Sequence, residues 1–270
     1  MSPPFRGYAA ASVRVARRAA RKPRPGGPEE RLVFVVGCPR SGTTFLGGAL
    51  GALPGFVDLG EVTPWKAALP RLHDRPGADA APELRRILDR VRSLGLATGL
   101  RGVEQTPETA HALRAALAAY PEAVAVHSLR DGRDVVCSLL ERGWLSAARA
   151  GADDAGLAYG AHARFWVEPE RRDEFAAASD ARRCAWAWRR YVEAARSAAP
   201  ERTLTVRYES LAESASELAA FLGAEPAPLE ASLGRFHDRS VGRWRRDLAA
   251  AQLAEVEAEA GDLLAALGYS

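Results

Sequence analysis

Apolar residues along the chain fall into two kinds of run. Short, unbroken runs rich in β-branched residues occupy 31–37 (Arg31-Leu-Val-Phe-Val-Val-Gly37), 100–104, 123–129 and 203–208. Such runs predict strands buried on both faces. Between them the apolar positions recur at helical spacing. Phe45, Leu46, Ala49, Leu50 and Leu53 follow the first strand, and Leu84, Ile87, Leu88 and Val91 share one face of a helix over 83–94. Further helices are expected over 108–119, 134–141, 211–222 and 182–199, the last with Trp186, Tyr191 and Val192 inward. A terminal helix carrying Leu248, Leu253, Val256, Ala260, Leu263, Leu264 and Leu267 closes the chain. Strands alternating with helices predict an α/β fold: one parallel sheet with helices on both faces. Residues 143–180 fit no period and are expected to form a loop-rich insertion or lid.

Composition narrows the class only slightly. With 270 residues, 47% hydrophobic and 26% charged, the chain reads as a soluble globular protein near the upper size for one core. A net charge of +3 is too small for a bulk nucleic-acid binder. No window approaches a transmembrane span, and the N-terminus lacks the apolar region of a secretory signal. Three cysteines (Cys38, Cys137 and Cys184) have no metal-ligand spacing, which suggests neither disulfides nor zinc. A reducing, cytoplasmic location is the expectation. Arginine supplies nearly all positive charge; Lys22 and Lys66 are the two lysines.

Residues 1–28 hold seven cations and no acidic residue, and end in a Pro/Gly-rich linker. They are expected to form a mobile arm, helical through residues 8–21, with a helix in weak contact with a membrane surface as the alternative. The remainder, 29–270, is expected to be one domain.

Gly37-x-x-x-x-Gly42-Thr43-Thr44 follows a buried strand and opens a helix, the context a phosphate-binding loop requires. Glycines admit positive φ and close backbone approach, and free N–H groups at a helix start attract anions. In a nucleoside-triphosphate loop a lysine follows the second glycine. Here Thr43 stands there, and the cation is Arg40. A sulfuryl donor has no γ-phosphate and needs no bridging metal. The alternative is a tight strand-to-helix turn without a ligand.

At this point the sequence resembles a known family. Cys38-Pro-Arg-Ser-Gly-Thr-Thr-Phe-Leu46 is similar to the 5′-phosphosulfate loop of the PAPS-dependent sulfotransferases, especially the tyrosylprotein and related bacterial branch. The resemblance implies a P-loop-like fold of sulfotransferase type. It also implies 3′-phosphoadenylyl sulfate (PAPS) as co-substrate, released as adenosine 3′,5′-bisphosphate, with Arg40, Ser41, Gly42, Thr43 and Thr44 on its 5′ side. Leu129-Arg-Asp-Gly-Arg-Asp-Val-Val-Cys-Ser138 resembles the 3′-phosphate motif, which implies Arg130 and Ser138 as ligands. Arg142 lies one helical turn past Ser138 and matches a further arginine of that branch. The competing reading is helix capping by Asp131 or Asp134 with surface arginines.

Val206-Arg-Tyr-Glu-Ser-Leu211 resembles the segment whose tyrosine approaches adenine, which would be Tyr208; a half-buried aromatic is the alternative. Arg239-Ser-Val-Gly-Arg-Trp244 resembles the late basic segment that closes over the nucleotide, and implies contacts from Ser240 and Arg243. A charged helix start would read the same way. Gly60-Glu61 matches the Gly-Glu pair that carries the catalytic base in the tyrosylprotein branch. Glu61 is therefore the candidate base, against a solvated surface carboxylate. Gln105 departs from the family, which often has a leaving-group lysine there, so that task would fall to Arg40.

The resulting expectation is in-line sulfuryl transfer from PAPS to a hydroxyl of a small molecule, carbohydrate or tyrosyl group, without a metal. Residues 62–100 and 143–180 are expected to build the acceptor pocket. The alternatives are a P-loop small-molecule kinase and a non-catalytic nucleotide-binding module. His127, within a strand, is expected to be a hydrogen-bonded core residue, and His111 is a weak candidate for lining the acceptor pocket.

Overall fold

The computed structural model describes residues 6–21, 32–73, 75–97, 99–237 and 239–269. Among these, five strands form one wholly parallel sheet in the order β2-β3-β1-β4-β5. The strands are β1 (Val33–Val36), β2 (Phe56–Gly60), β3 (Arg101–Glu104), β4 (Val124–Leu129) and β5 (Thr203–Arg207). Strand β1 is central, with Val33 beside Val103 on one side and Val124 on the other. The chain passes from β3 on one side of β1 to β4 on the other. In open α/β sheets the crevice at the carboxyl ends of such strands is where ligands bind.

The period-2 alternation of β1 builds two cores. Val33 and Val35 face a cluster with Leu46, Leu50, Leu218 and Leu229. Phe34 and Val36 face the larger cluster, with Trp65, Leu84, Trp186 and Trp188. Successive strand side chains point to opposite faces, so an unbroken apolar run needs a layer on each side.

The helices, in chain order, are α1 (Arg6–Arg21), α2 (Thr43–Gly51), α3 (Thr63–Leu72), α4 (Gly77–Ala97), α5 (Leu113–Ala119), α6 (Gly132–Arg142), α7 (Arg172–Ala177), α8 (Asp180–Ala198), α9 (Ala215–Leu222), α10 (Pro226–Leu233), α11 (Trp244–Asp247) and α12 (Ala250–Ala266). The sequence pattern did not foretell α3 or α10. Each begins with a proline in its first turn and α3 contains Pro70, which breaks the periodic signal. Residues 143–180 are loop-rich as expected, with one short bridge at Ala152–Ala158 before α7.

The basic segment expected as a mobile arm forms, over Arg6–Arg21, a helix seated on edge strand β2. Its apolar positions Ala11 and Val15 are buried in the protein core. Arg18 donates to the carbonyls of Ala52, Leu53 and Phe56, and Arg14 pairs with Asp58. Covering an edge strand removes an exposed pairing surface. Ala11 and Val15 are thus taken up by the protein, while Val13 of the same helix is exposed. The linker expected over 22–28 lies outside the described residues. No helix among the described residues is long and apolar enough to cross a membrane.

Candidate active site

The loop after β1 turns on three left-handed positions: Gly37 (φ 150°), Arg40 (φ 76°) and Gly42 (φ 88°). A Cβ on Gly37 would stand 2.6 Å from the Ser128 carbonyl oxygen, and one on Gly42 2.6 Å from the Tyr208 ring. Both glycines are therefore required by close approach as well as by φ. Arg40 is the one non-glycine residue among those described with positive φ. That conformation costs roughly 1–2 kcal/mol and clusters at functional sites.

The Ser41 N–H donates to the Cys38 carbonyl at 3.0 Å, and the Ser128 hydroxyl donates to the Ser41 carbonyl at 2.6 Å. Ser41 thus closes the turn and is itself buried, which takes its N–H away from a ligand. The first intrahelical bond of α2 runs from Leu46 N–H to Gly42 carbonyl. No side chain caps this helix. The N–H groups of Thr43, Thr44 and Phe45 are the free donors of the first turn, the arrangement that binds anions.

Beside this helix start lies a cavity of about 390 Å³ lined by Arg40, Gly42, Thr43, Thr44, Arg130, Ser138, Tyr208, Ser240 and Arg243, together with Phe45 and Phe236. It gathers residues from the loop, α6, the end of β5 and the 235–243 segment. Arg130, 4% exposed, donates to the carbonyls of Arg40 (3.0 Å) and Ser240 (2.7 Å) and stacks 4.3 Å from the Tyr208 ring centroid. Its Nε is buried without a hydrogen-bond partner. Arg40 Nε donates to Ser138 Oγ at 2.9 Å. Burial, then the charges of Arg142 and Arg130, lower the pKa of the Arg40 guanidinium. Like charges crowded at one wall are the electrostatic complement of a polyanion.

Tyr208 is packed edge-on against Phe236 and its hydroxyl pairs with Ser240 Oγ at 3.1 Å. The cavity wall thus combines aromatic rings with guanidinium groups, the side chains that suit a nucleotide's base and phosphates. Phe236 escaped the sequence reading; an aromatic inside the basic run Arg235-Phe236-His237 was the available signal.

Not every expected ligand points into this cavity. Arg142 is exposed and does not line it, although its charge reaches Arg40. Arg243 lines the cavity, with its guanidinium paired to Glu141 and Asp247. At the α6 start the capping reading holds for Asp131, while Arg130 and Arg133 are buried and are not surface arginines. Asp131 caps the helix by accepting from Arg133 N–H, while Asp134 accepts from the N–H groups of Gly242 (2.7 Å) and Trp244 (3.0 Å). Asp134 thereby fastens the 240–244 segment over the cavity.

Glu61 lines a second cavity of about 360 Å³, with Pro39, Lys66, Glu108, Leu139, Asp153, Asp154, Arg164 and four aromatic side chains. The two cavities share a wall: Pro39 and Leu139 face this one, Arg40 and Ser138 the other. Lys66 Nζ donates to Glu61 Oε2 at 3.2 Å and holds its carboxylate beside the loop. Lys66 was passed over in the sequence, although a lysine in an arginine-dominated chain was a signal.

The 143–180 segment supplies much of this cavity. Of residues 62–100, Lys66 alone contributes. Pro70, His73, Arg75, Pro76 and Gly77 instead line a larger open groove of about 950 Å³, which shares Trp166 with the Glu61 cavity and lies away from the loop. His111 lines that groove, packed against Phe165 and Tyr191, and not the Glu61 cavity. His127 is a core residue, its Nδ1 3.3 Å from Thr205 Oγ1; burial, then the charge of Arg196, depresses its pKa to about 4. Gln105 is turned away from both cavities. Its Nε2 donates to Asp58 at 3.3 Å and its amide packs on Gly47 of α2.

Glu104, at the end of β3, supports the Glu61 segment. Its Oε1 accepts from the N–H groups of Thr106 (3.1 Å) and Val62 (3.5 Å), the residue after Glu61. Burial pushes this carboxyl up to about 8, with the Thr106 and Val62 hydrogen bonds pulling the other way. The folded pKa exceeds the unfolded value of 4.5, so the fold favours the protonated form. Its stabilisation is full below the unfolded value and is lost as pH rises towards 8. Glu104→Gln is expected to flatten the stability profile across that window, read as unfolding midpoint against pH. A profile unchanged by the substitution would refute the assignment.

No family model and no curated protein matches the sequence. Solved structures do. A sulfotransferase domain from the curacin biosynthetic pathway is similar with a TM-score of 0.55 and 14% identity, covering 86% of this chain and 97% of that one. The sulfotransferase domain of the olefin synthase of Synechococcus PCC 7002 has a TM-score of 0.49 and 16% identity, over 88% and 94% of the two chains. A mouse sulfotransferase complexed with PAP has a TM-score of 0.47 and 14% identity, over 96% and 94%. With its parallel sheet centred on the strand that feeds a glycine loop, this chain has the sulfotransferase fold.

Proposed function

We propose that the protein transfers a sulfuryl group from PAPS to an acceptor hydroxyl. Folds host many chemistries, so the reading is argued from the site. The observation that carries it is Arg130: buried, its Nε orphaned, in one cavity with Arg40, Ser138 and the open start of α2. A phosphate on the ribose 3′ position, apart from the 5′ chain, is what distinguishes PAPS from ATP, and a guanidinium fork is suited to bind it.

In this reading Arg130 and Ser138 take the 3′-phosphate, Tyr208 and Phe236 the base, and Arg40 with the N–H groups of Thr43 and Thr44 the 5′ side. Ser240 and Arg243 close over the nucleotide from the segment fastened by Asp134. Glu61 removes the acceptor's proton as the acceptor oxygen bonds to sulfur and the bond from sulfur to the 5′-phosphate oxygen breaks. Arg40 stabilises the charge left on that oxygen. The sulfotransferase fold and the shared wall between the two cavities support such a transfer. Three buried, free thiols suit the reducing, cytoplasmic setting that belongs to the same proposal.

Calorimetric titration tests it. Adenosine 3′,5′-bisphosphate is expected to bind tightly without added metal, and more tightly than ATP with Mg²⁺. Tighter, Mg²⁺-dependent ATP binding would instead support a kinase.

A further inference from the structure

We propose that the acceptor carries a protonated amine beside the hydroxyl that receives the sulfuryl group. This inference rests on the function proposed above and adds the acceptor's chemical class.

The Glu61 cavity is acidic in a way the chain as a whole is not. Net charge over the sequence is +3. The cavity wall nevertheless holds four carboxylates (Glu61, Glu108, Asp153 and Asp154) against Lys66 and Arg164. They arrive from three separate segments: the β2–α3 junction, the 3₁₀ turn at Pro107–Ala112, and the 143–180 insertion. Lys66 stands among them, its Nζ 3.1 Å from Asp153, 3.2 Å from Glu61, 3.8 Å from Asp154 and 3.9 Å from Glu108. Lys66 and Arg164 together supply two positive charges against four carboxylates. Burial works against the Lys66 charge, yet Glu108, Glu61 and Asp153 outweigh it and hold the pKa above its ordinary value.

A second, independent feature is Glu108 itself. The residue is 4% exposed and forms part of the cavity wall. Lys66 faces its Oε1 at 3.9 Å, and burial, then the Glu108 carboxyl, raises the pKa of the Tyr191 hydroxyl, while Oε2 is buried with no partner at hydrogen-bond distance. An acceptor oxygen left in that state is costly unless a donor reaches it. Burial raises its pKa, offset in part by Lys66, so an added cation at the site would favour the charged form. The remaining wall is aromatic, from Trp144, Tyr159, Trp166 and Tyr191. Carboxylates with aromatic faces are the surroundings that retain an ammonium group by charge and by cation–π attraction. The same surroundings repel an acidic acceptor, including a tyrosine flanked by acidic residues.

The test uses acceptors matched in shape and differing in charge, each assayed with labelled PAPS on the full chain. One set is tyramine, 4-ethylphenol and 4-hydroxyphenylacetate; a second is glucosamine, glucose and glucuronate. Within whichever set is sulfated, the amine is expected to lead the neutral member in kcat/KM by about tenfold, the value of one ion-pair or cation–π contact. The acid is expected to be poorest. Glu108→Gln should shrink the amine preference while leaving bisphosphate affinity unchanged. Asp153→Asn, whose side chain is partly exposed, gives the same readout should the first variant fold poorly. Neutral or acidic members preferred, an amine preference untouched by both variants, or tight bisphosphate binding with no member sulfated would each overturn the acceptor class. Loss of bisphosphate binding in the unaltered protein would instead overturn the reading on which it rests.

Discussion

Arg40→Ala is expected to lower sulfuryl transfer by ~10²–10³ or more, the usual loss when one preorganised donor to a developing oxyanion is removed. It should also weaken binding of adenosine 3′,5′-bisphosphate by ~10–100-fold, since a charge-assisted phosphate contact contributes about 1.5–3 kcal/mol. The fold should survive. Alanine at φ 76° meets the same left-handed penalty as arginine, so the loop's conformational cost is unchanged. The lost Arg40–Ser138 bond lies at the cavity wall, where water can replace it. Release of labelled sulfate to acceptor, with calorimetry on the bisphosphate, measures both effects. Full activity in this variant would refute the leaving-group role of Arg40.

Glu61→Gln is the second large effect and has the opposite signature. A positioned carboxylate base contributes ~10²–10⁴ in rate, so kcat should fall by about that factor. Bisphosphate affinity should stay where it is, because Glu61 lines the other cavity and touches none of the nucleotide-side residues. The amide keeps the side chain's shape and its contact with Lys66 through the carbonyl oxygen, so a fall in kcat is not readily assigned to collapse. Retained turnover on the true acceptor would remove Glu61 from the mechanism and leave Glu108, Asp153 and Asp154, the other carboxylates at that wall, as the next residues to test.

These two variants divide the site along its shared wall. Loss of both rate and nucleotide binding belongs to the Arg40 side, and loss of rate alone to the Glu61 side. A single pocket holding both functions would not produce that split.

Much of this was written locally in the chain. The unbroken apolar run at 33–36 and the helix after the loop depend on interactions within about a dozen residues, and the glycines at 37 and 42 are visible in the same stretch, although Ser128 and Tyr208 are what approach them. The order of strands and helices along the sequence likewise foretold a parallel sheet, because parallel strands need crossover connections. Arg130 and Ser138 were marked as a pair by the resemblance to a 3′-phosphate motif, one leaving a strand and the other facing back from a helix.

Other features were decided by tertiary approach. Arg40 meets Ser138 across 98 positions, and Arg130 meets the Ser240 carbonyl across 110. The turning of Gln105 towards Asp58, away from the leaving-group position the resemblance suggested, follows from how α2 packs on β2 and β3. Helix α1 found its place on β2 because Arg18 could reach three carbonyls at the α2–β2 turn. The acidic cavity around Lys66 draws on segments from 61 to 164. Hydrophobic period encodes which face of an element is buried, but not which charged side chains of distant elements then stand together. That depends on docking geometry.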